Sequence, residues 1–236
     1  MKIAGIQKST LVDFPGKIAC VVFTQGCNFR CNFCHNPECV LPEKMMLFQN
    51  DLIPEESVFA FLESRKGFLD GVSICGGEPT IQTDLYAFAK KIKEMGFAVK
   101  LDTNGRDAPL VERMIKDGIL DYVAVDIKHS LYKYDEAVGT PQNALFFENF
   151  QSLLQTLLES NIDYEYRTTI IKGMHTTDDV SHMTHYIRGA KNYYLQNYIG
   201  GNTLDPEFGG KPFSEEELQE FKQVALKYVQ HVGIRN

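Results

Sequence analysis

Along this chain, short runs rich in β-branched and aromatic residues alternate with longer helix-like segments, and polar turns punctuate both. The strand candidates are Ala19 to Thr24, Gly71 to Cys75, Ala98 to Asp102, Tyr122 to Ile127, Tyr164 to Ile171 and Tyr193 to Tyr198. Helices are expected over Pro54 to Ser64, Thr83 to Met95, Ala108 to Lys116, Phe146 to Glu159, Thr177 to Arg188 and Ser214 to Val232. Gly96 stands where a helix C-cap belongs, Pro109 suits a first helical turn, and Ser214 with Glu217 forms a capping box. A strand followed by a helix, repeated through the chain, predicts a parallel sheet with helices outside it. The expected fold is therefore α/β, an incomplete (β/α)6 barrel of the TIM-like kind, with its functional loops at the C-terminal ends of the strands.

Composition narrows the class. A chain of 236 residues with 44% hydrophobic content can bury a full core, and it is read as one domain over 1–236. The net charge of −7 argues against sequence-independent nucleic-acid binding. The apolar run Ile18 to Phe23 is far too short to span a bilayer, so no membrane partner is expected. The opening residues lack the pattern of a secretory signal, and six cysteines without export point to reduced thiols and metal binding. A cytoplasmic location follows as the expectation.

The polar motifs fall where the barrel needs them. Cys27, Cys31 and Cys34 follow the first strand candidate in the spacing C-x3-C-x2-C, with Phe33 before the last cysteine. Three thiolates on one tight loop can hold three irons of a [4Fe-4S] cluster and leave the fourth open. A structural zinc site needs four ligands, with Cys39 or His35 available as the fourth, but this spacing suits zinc poorly. Gly76-Gly-Glu-Pro79 follows the next strand; its glycines allow close backbone approach to a ligand, and Glu78 offers a carboxylate for an ammonium. Asp102-Thr-Asn-Gly105 and Asp126-Ile-Lys128 end the two strands after that. Cys20 and Cys75 read as small buried hydrophobes, the role of Cys39 stays open, and His129, His175, His182, His185 and His231 are expected at the surface.

The cysteine loop with Phe33, followed by Gly-Gly-Glu-Pro, resembles the radical S-adenosylmethionine (SAM) superfamily. The resemblance implies the superfamily's barrel, and SAM chelated at the open iron by its amino and carboxylate groups. Cys34-His-Asn36, Leu101-Asp-Thr-Asn-Gly105 and Val125-Asp-Ile-Lys128 are similar to the activating enzymes of glycyl radical enzymes, such as the pyruvate formate-lyase activating enzyme. That likeness implies that Lys128 and Arg167 meet the SAM carboxylate, that Asp102 and Asp126 face amino or ribose donors, and that Phe33 packs on the adenine. It also places His35, Gly76, Gly77 and Glu78 among the cofactor-binding residues, and it implies a monovalent cation held by Asp102, Thr103 and Asp126 with a carbonyl of Ile127.

One departure separates this chain from the lyase activase, whose late strand carries a Tyr-His pair; here it reads Leu195-Gln-Asn-Tyr-Ile199, without histidine. This tail, Leu204-Asp-Pro206 and the opening Ser9 to Lys17 look like the long-form activating proteins of the anaerobic ribonucleoside-triphosphate reductase. The implied function is reductive cleavage of SAM and removal of a glycine hydrogen on a partner glycyl radical enzyme, with flavodoxin or ferredoxin as reductant. Only Cys39 lies between His35 and Ile74, so a second cluster is not expected. The alternatives are activation of a pyruvate formate-lyase type partner, a small-molecule radical SAM reaction like that of 7-carboxy-7-deazaguanine synthase, and a zinc-stabilised binding module without catalysis.

Overall fold

A computed structural model of the chain describes residues 1–47 and 51–236. It divides into two compact units. The first comprises Met1–Asn28, Asn36–Thr103 and Pro109–Val123, and the second Phe29–His35, Asn104–Ala108 and Ala124–Asn236. Among the described residues, no helix is long and apolar enough to cross a membrane.

The first unit carries strands β1 (Ile3–Thr10) and β2 (Ala19–Thr24), helices α1 (Pro37–Val40), α2 (Pro42–Leu47) and α3 (Glu55–Glu63), then β3 (Gly71–Gly76), α4 (Leu85–Glu94) and β4 (Ala98–Thr103). Helix α5 (Ala108–Lys116) lies in it from Pro109 onward, and strand β5 (Tyr122–Asp126) begins in it. Strands β2, β3 and β4 are parallel, with Ala19 opposite Gly71 and Gly71 opposite Ala98. Val21, Val22, Val72, Ile74, Val99 and Leu101 are buried, the near-continuous burial that a covered parallel sheet demands. Helix α4 buries Leu85, Phe88, Ala89 and Ile92, one face at helical spacing. It ends at Gly96, whose φ of +94° is the left-handed conformation the sequence anticipates there.

The second unit carries α6 (Tyr134–Val138), α7 (Ala144–Glu159), β6 (Asp163–Ile170), α8 (Thr177–Tyr186), β7 (Asn192–Asn197), α9 (Glu215–Ala225) and β8 (His231–Arg235). Strands β6, β7 and β8 are parallel, with Tyr166 opposite Tyr193 and Asn192 opposite His231. Helix α7 buries Phe146, Phe150, Leu153, Leu154 and Leu157, and Asn143 caps it by accepting the Phe146 N–H at 2.9 Å. Thr176 with Asp179 and Ser214 with Glu217 form complete capping boxes.

Short helices α1, α2 and α6 are not anticipated by the sequence, and both ends of the chain also differ from expectation. The last helix stops at Ala225 instead of reaching Val232, because His231 to Arg235 pair with β7 as a strand. The opening residues form β1, antiparallel to β2, where Ile3 faces Thr24 and Thr10 faces Ala19. Both strands owe their conformation to the partner edge they pair with, and neither carries a strong local signal.

Candidate active site

In the first unit the site is a set of backbone approaches. Gly77 N–H donates to the Thr24 carbonyl at 2.9 Å, and Glu78 N–H to the Gly26 carbonyl at 2.7 Å. Gly26 N–H donates in turn to the Cys39 carbonyl at 2.6 Å, and the Asn36 side-chain amide donates to the Gly76 carbonyl at 3.2 Å. A β-carbon on Gly77 would stand 1.9 Å from the Gly26 oxygen, so no side chain fits. The glycine pair is thus needed first for the chain's own packing beside Cys27.

Glu78 is only 1% exposed, and one of its oxygens, Oε1, accepts from Thr80 N–H at 3.1 Å, Thr80 Oγ1 at 2.6 Å and Thr103 Oγ1 at 2.7 Å. The Thr103 bond ties the turn after β3 to the end of β4. Lys100, equally buried, reaches along β4 to pair with Asp102. Its position in mid-strand hides this role from sequence reading.

In the second unit, Cys34 N–H donates to the Cys31 carbonyl at 3.0 Å, closing the turn that carries both thiols. Phe33 is buried and its ring lies 6.2 Å from Phe208; His35 packs on Tyr198 and bonds the Ile199 carbonyl. Leu204 N–H donates to the Cys34 carbonyl at 2.9 Å and Asp205 N–H to the Asn32 carbonyl at 3.1 Å, so the segment after β7 clasps this turn. The clasp holds the turn by backbone bonds.

Asp126, at the end of β5, accepts from Lys128 Nζ and from Arg167 Nε, each at 2.9 Å. Burial pushes the Asp126 carboxyl up, but the Arg167 and Lys128 charges outweigh it and hold it well below the usual carboxylate range. Burial likewise disfavours the Lys128 ammonium, while Asp126 and the Cys31 and Cys34 sulfurs overcome that and hold it charged. A lasting cation therefore faces the cysteine turn. Arg167 lies in the middle of β6, not at its end, yet joins this group.

Two histidines expected at the surface are instead buried here. His129 and His175 stack with ring centroids 4.6 Å apart. Ile171 N–H donates to His175 Nδ1 at 3.1 Å, so Nε2 carries the proton and donates to the Lys128 carbonyl at 3.0 Å. His129 accepts from Ser130 N–H at Nδ1 and donates to the Met174 carbonyl from Nε2. Burial, then the neighbouring His129, push the His175 pKa down to about 4, so the ring is neutral and seats Lys128. Beside Asn32 of the cysteine turn lies a cavity of about 470 Å³, with Lys133, Glu136, Lys172 and Phe208 in its wall.

All six cysteines are thiols, not disulfides. Cys20 is fully buried, and burial raises its pKa to about 12, which makes it inert as a ligand; Cys75 is half-buried, more open than expected. Three reduced thiols on one short loop, with a fixed cation facing two of them, fit a [4Fe-4S] cluster and an anionic ligand beside it. Asp102 pairs with Lys100, and Asp126 with Lys128 and Arg167.

Residues 21–187 match the radical SAM superfamily, and the chain belongs to it. Its fold is similar to that of a radical SAM methyltransferase from Sphaerobacter thermophilus, with a TM-score of 0.69 at 16% identity over 96% of this chain and 68% of that one. The fold is thus the α/β, incomplete-barrel type expected, and the superfamily's cofactors are a [4Fe-4S] cluster and SAM, whose motif Cys27, Cys31 and Cys34 fit. Within the superfamily the chain groups with the glycyl-radical enzyme activating enzymes. A protein of Methanocaldococcus jannaschii provisionally named as one is 32% identical over 99% of this chain and 95% of its own length. The pyruvate formate-lyase-activating enzyme of Clostridium pasteurianum is 30% identical over 83% and 87%.

Proposed function

We propose that this chain is an activase that cleaves SAM reductively and removes a hydrogen from one glycine of a partner enzyme, an anaerobic (class III) ribonucleoside-triphosphate reductase. When bound, the cluster would supply the single electron that cleaves the sulfonium–C5′ bond of SAM, with methionine and 5′-deoxyadenosine as products and the unpaired electron left on the partner's glycine. The electron comes from outside, from a reduced flavodoxin or ferredoxin in the cytoplasm.

The residues then divide the work. Cys27, Cys31 and Cys34 hold three irons. Lys128 and Arg167 take the carboxylate of SAM while each also pairs with Asp126. Phe33 and His35 lie on the adenosine side, Gly76 and Gly77 keep the ligand's path open, and Glu78 and Asp102 oppose its amino or ribose donors. The pairing of Asp126 with both Lys128 and Arg167, each at 2.9 Å, is the observation that carries this reading, because it holds two cations against one carboxylate and leaves a positive charge for the ligand. The cavity beside Asn32 falls in the size range of ligand pockets.

The test is anaerobic reconstitution with iron and sulfide, followed by dithionite, SAM and the purified reductase. The expected result is 5′-deoxyadenosine together with a glycyl radical signal by electron spin resonance on the partner. Absence of deoxyadenosine would sink the radical reading, and turnover with a deazaguanine precursor instead of a protein would select the small-molecule alternative. Zinc without iron or sulfide would select the binding module. The C. pasteurianum relative favours a pyruvate formate-lyase type partner as the second reading, decided by which partner acquires the radical.

A further inference from the structure

Behind Arg167 lies a second, opposing set of charges in the same unit. Glu165 and Arg167 sit two residues apart on β6, and Arg167 Nη1 is 3.8 Å from a Glu165 oxygen, close enough to attract but beyond a hydrogen bond. Glu165 is almost wholly buried, and both of its oxygens are taken by Arg235 of β8 in a bidentate pair, at 2.8 and 2.7 Å. Arg235 is itself laid over the Tyr194 ring at 3.6 Å from its centroid. That ring needs Gly233 beneath it, since a β-carbon there would come within 2.5 Å of the ring atoms. The sequence Gly233-Ile-Arg235 is therefore built to present one guanidinium to one buried carboxylate.

We infer that Arg235 is a positioning residue for SAM binding: by saturating Glu165 it releases Arg167 to face Asp126 and the ligand carboxylate. A buried carboxylate must be matched by a cation, and two guanidiniums compete for this one. With Arg235 in place, the competition is settled geometrically, because the bidentate fork uses both oxygens and Arg167 turns its Nε to Asp126 instead. Without it, the two Glu165 oxygens lose the fork that holds them, and the Arg167 guanidinium, 3.8 Å away, is the cation nearest to hand. It is drawn back along β6, away from Asp126. The mechanism predicts that removing the charge of Glu165 should undo the effect of losing Arg235.

This rests on the proposal that SAM is the ligand, and the measurement separates the two. Equilibrium binding of SAM, and of 5′-methylthioadenosine, which lacks the amino-acid portion, is measured by calorimetry on cluster-loaded, unreduced protein. For Arg235→Gln, SAM affinity is expected to fall about tenfold, with methylthioadenosine affinity unchanged. For the double variant Glu165→Gln with Arg235→Gln, SAM affinity is expected to return to near the wild-type value. If Arg235→Gln does not fold, the double variant alone carries the test, since it removes both charges, and a folded double variant with weak SAM binding overturns the inference. Unchanged SAM affinity in Arg235→Gln, or an equal loss for both ligands, also overturns it. A wild-type protein that does not bind SAM at all refutes the underlying function instead.

Discussion

Replacing Gly77 by alanine puts a β-carbon 1.9 Å from the Gly26 carbonyl oxygen, 2.6 Å from its carbon and 3.0 Å from the Cys39 oxygen. All three are backbone atoms, so no rotamer change can relieve the overlap. Reaching ordinary van der Waals separation requires the two segments to part by about 1.5 Å. That movement stretches the 2.7 Å bond from Glu78 N–H to the Gly26 carbonyl past hydrogen-bonding range. Loss of the bond, with its buried donor and acceptor left unmatched, costs about 2–4 kcal/mol. Gly26 precedes Cys27, so the displacement also moves one of the cluster ligands. The assay is urea unfolding of the cluster-free protein, paired with iron content after anaerobic reconstitution. Gly96→Ala is the control: its φ of +94° strains an alanine, but nothing lies within 4 Å of the new carbon, so only about 1 kcal/mol is expected and iron uptake stays normal. If Gly77→Ala unfolds within 0.5 kcal/mol of wild type, or loses no more than the control, the close approach is not what requires this glycine.

The buried neutral His175 makes the fold sensitive to mild acid. Its pKa is about 4 folded against about 6.5 unfolded, so the unfolded chain binds a proton that the fold refuses, and stability falls as pH drops from 6.5 toward 4, by about 2 kcal/mol at pH 5. Urea unfolding at pH 7.5 and pH 5 should show this in wild type and much less of it in His175→Gln; an equal loss in both would assign the acid sensitivity elsewhere. Lys100→Met removes the buried ammonium facing Asp102 and should lower unfolding free energy by about 3–5 kcal/mol, with Asp102→Asn recovering part of the loss in the double variant. No recovery would show that the pair is not the source. Cys31→Ala should abolish assembly of the [4Fe-4S] absorption band while leaving far-ultraviolet circular dichroism intact, because the turn is closed by backbone bonds. Retention of a stable cubane would argue against the three-cysteine assignment.

What could be read in advance was local. Cysteine spacing, the glycine pair and the acidic strand ends are short motifs whose chemistry depends on neighbours within a few residues, and the six strand candidates lie within a residue or two of β2 to β7. What escaped depends on distant partners. β1 and β8 become strands by pairing with edges built elsewhere in the chain. His175 looks like a surface residue until its two ring nitrogens are seen to be matched by the Ile171 N–H and the Lys128 carbonyl. Lys100 reads as an ordinary polar residue interrupting a strand, and Arg235 falls beyond the expected last helix, where the sequence predicts no strand.

The clasp on the cysteine turn has a consequence for how the enzyme is made. Leu204 and Asp205 supply backbone donors to the Cys34 and Asn32 carbonyls, yet they leave the ribosome long after the cysteines do. Until then the turn is only half held, and its thiols are open to oxygen and stray metals. Loading of the cluster therefore belongs after synthesis, and nascent chains stalled before Leu204 should take up iron less stably than released ones. A motif that looks self-sufficient in the first few dozen residues is completed by residues near the other end.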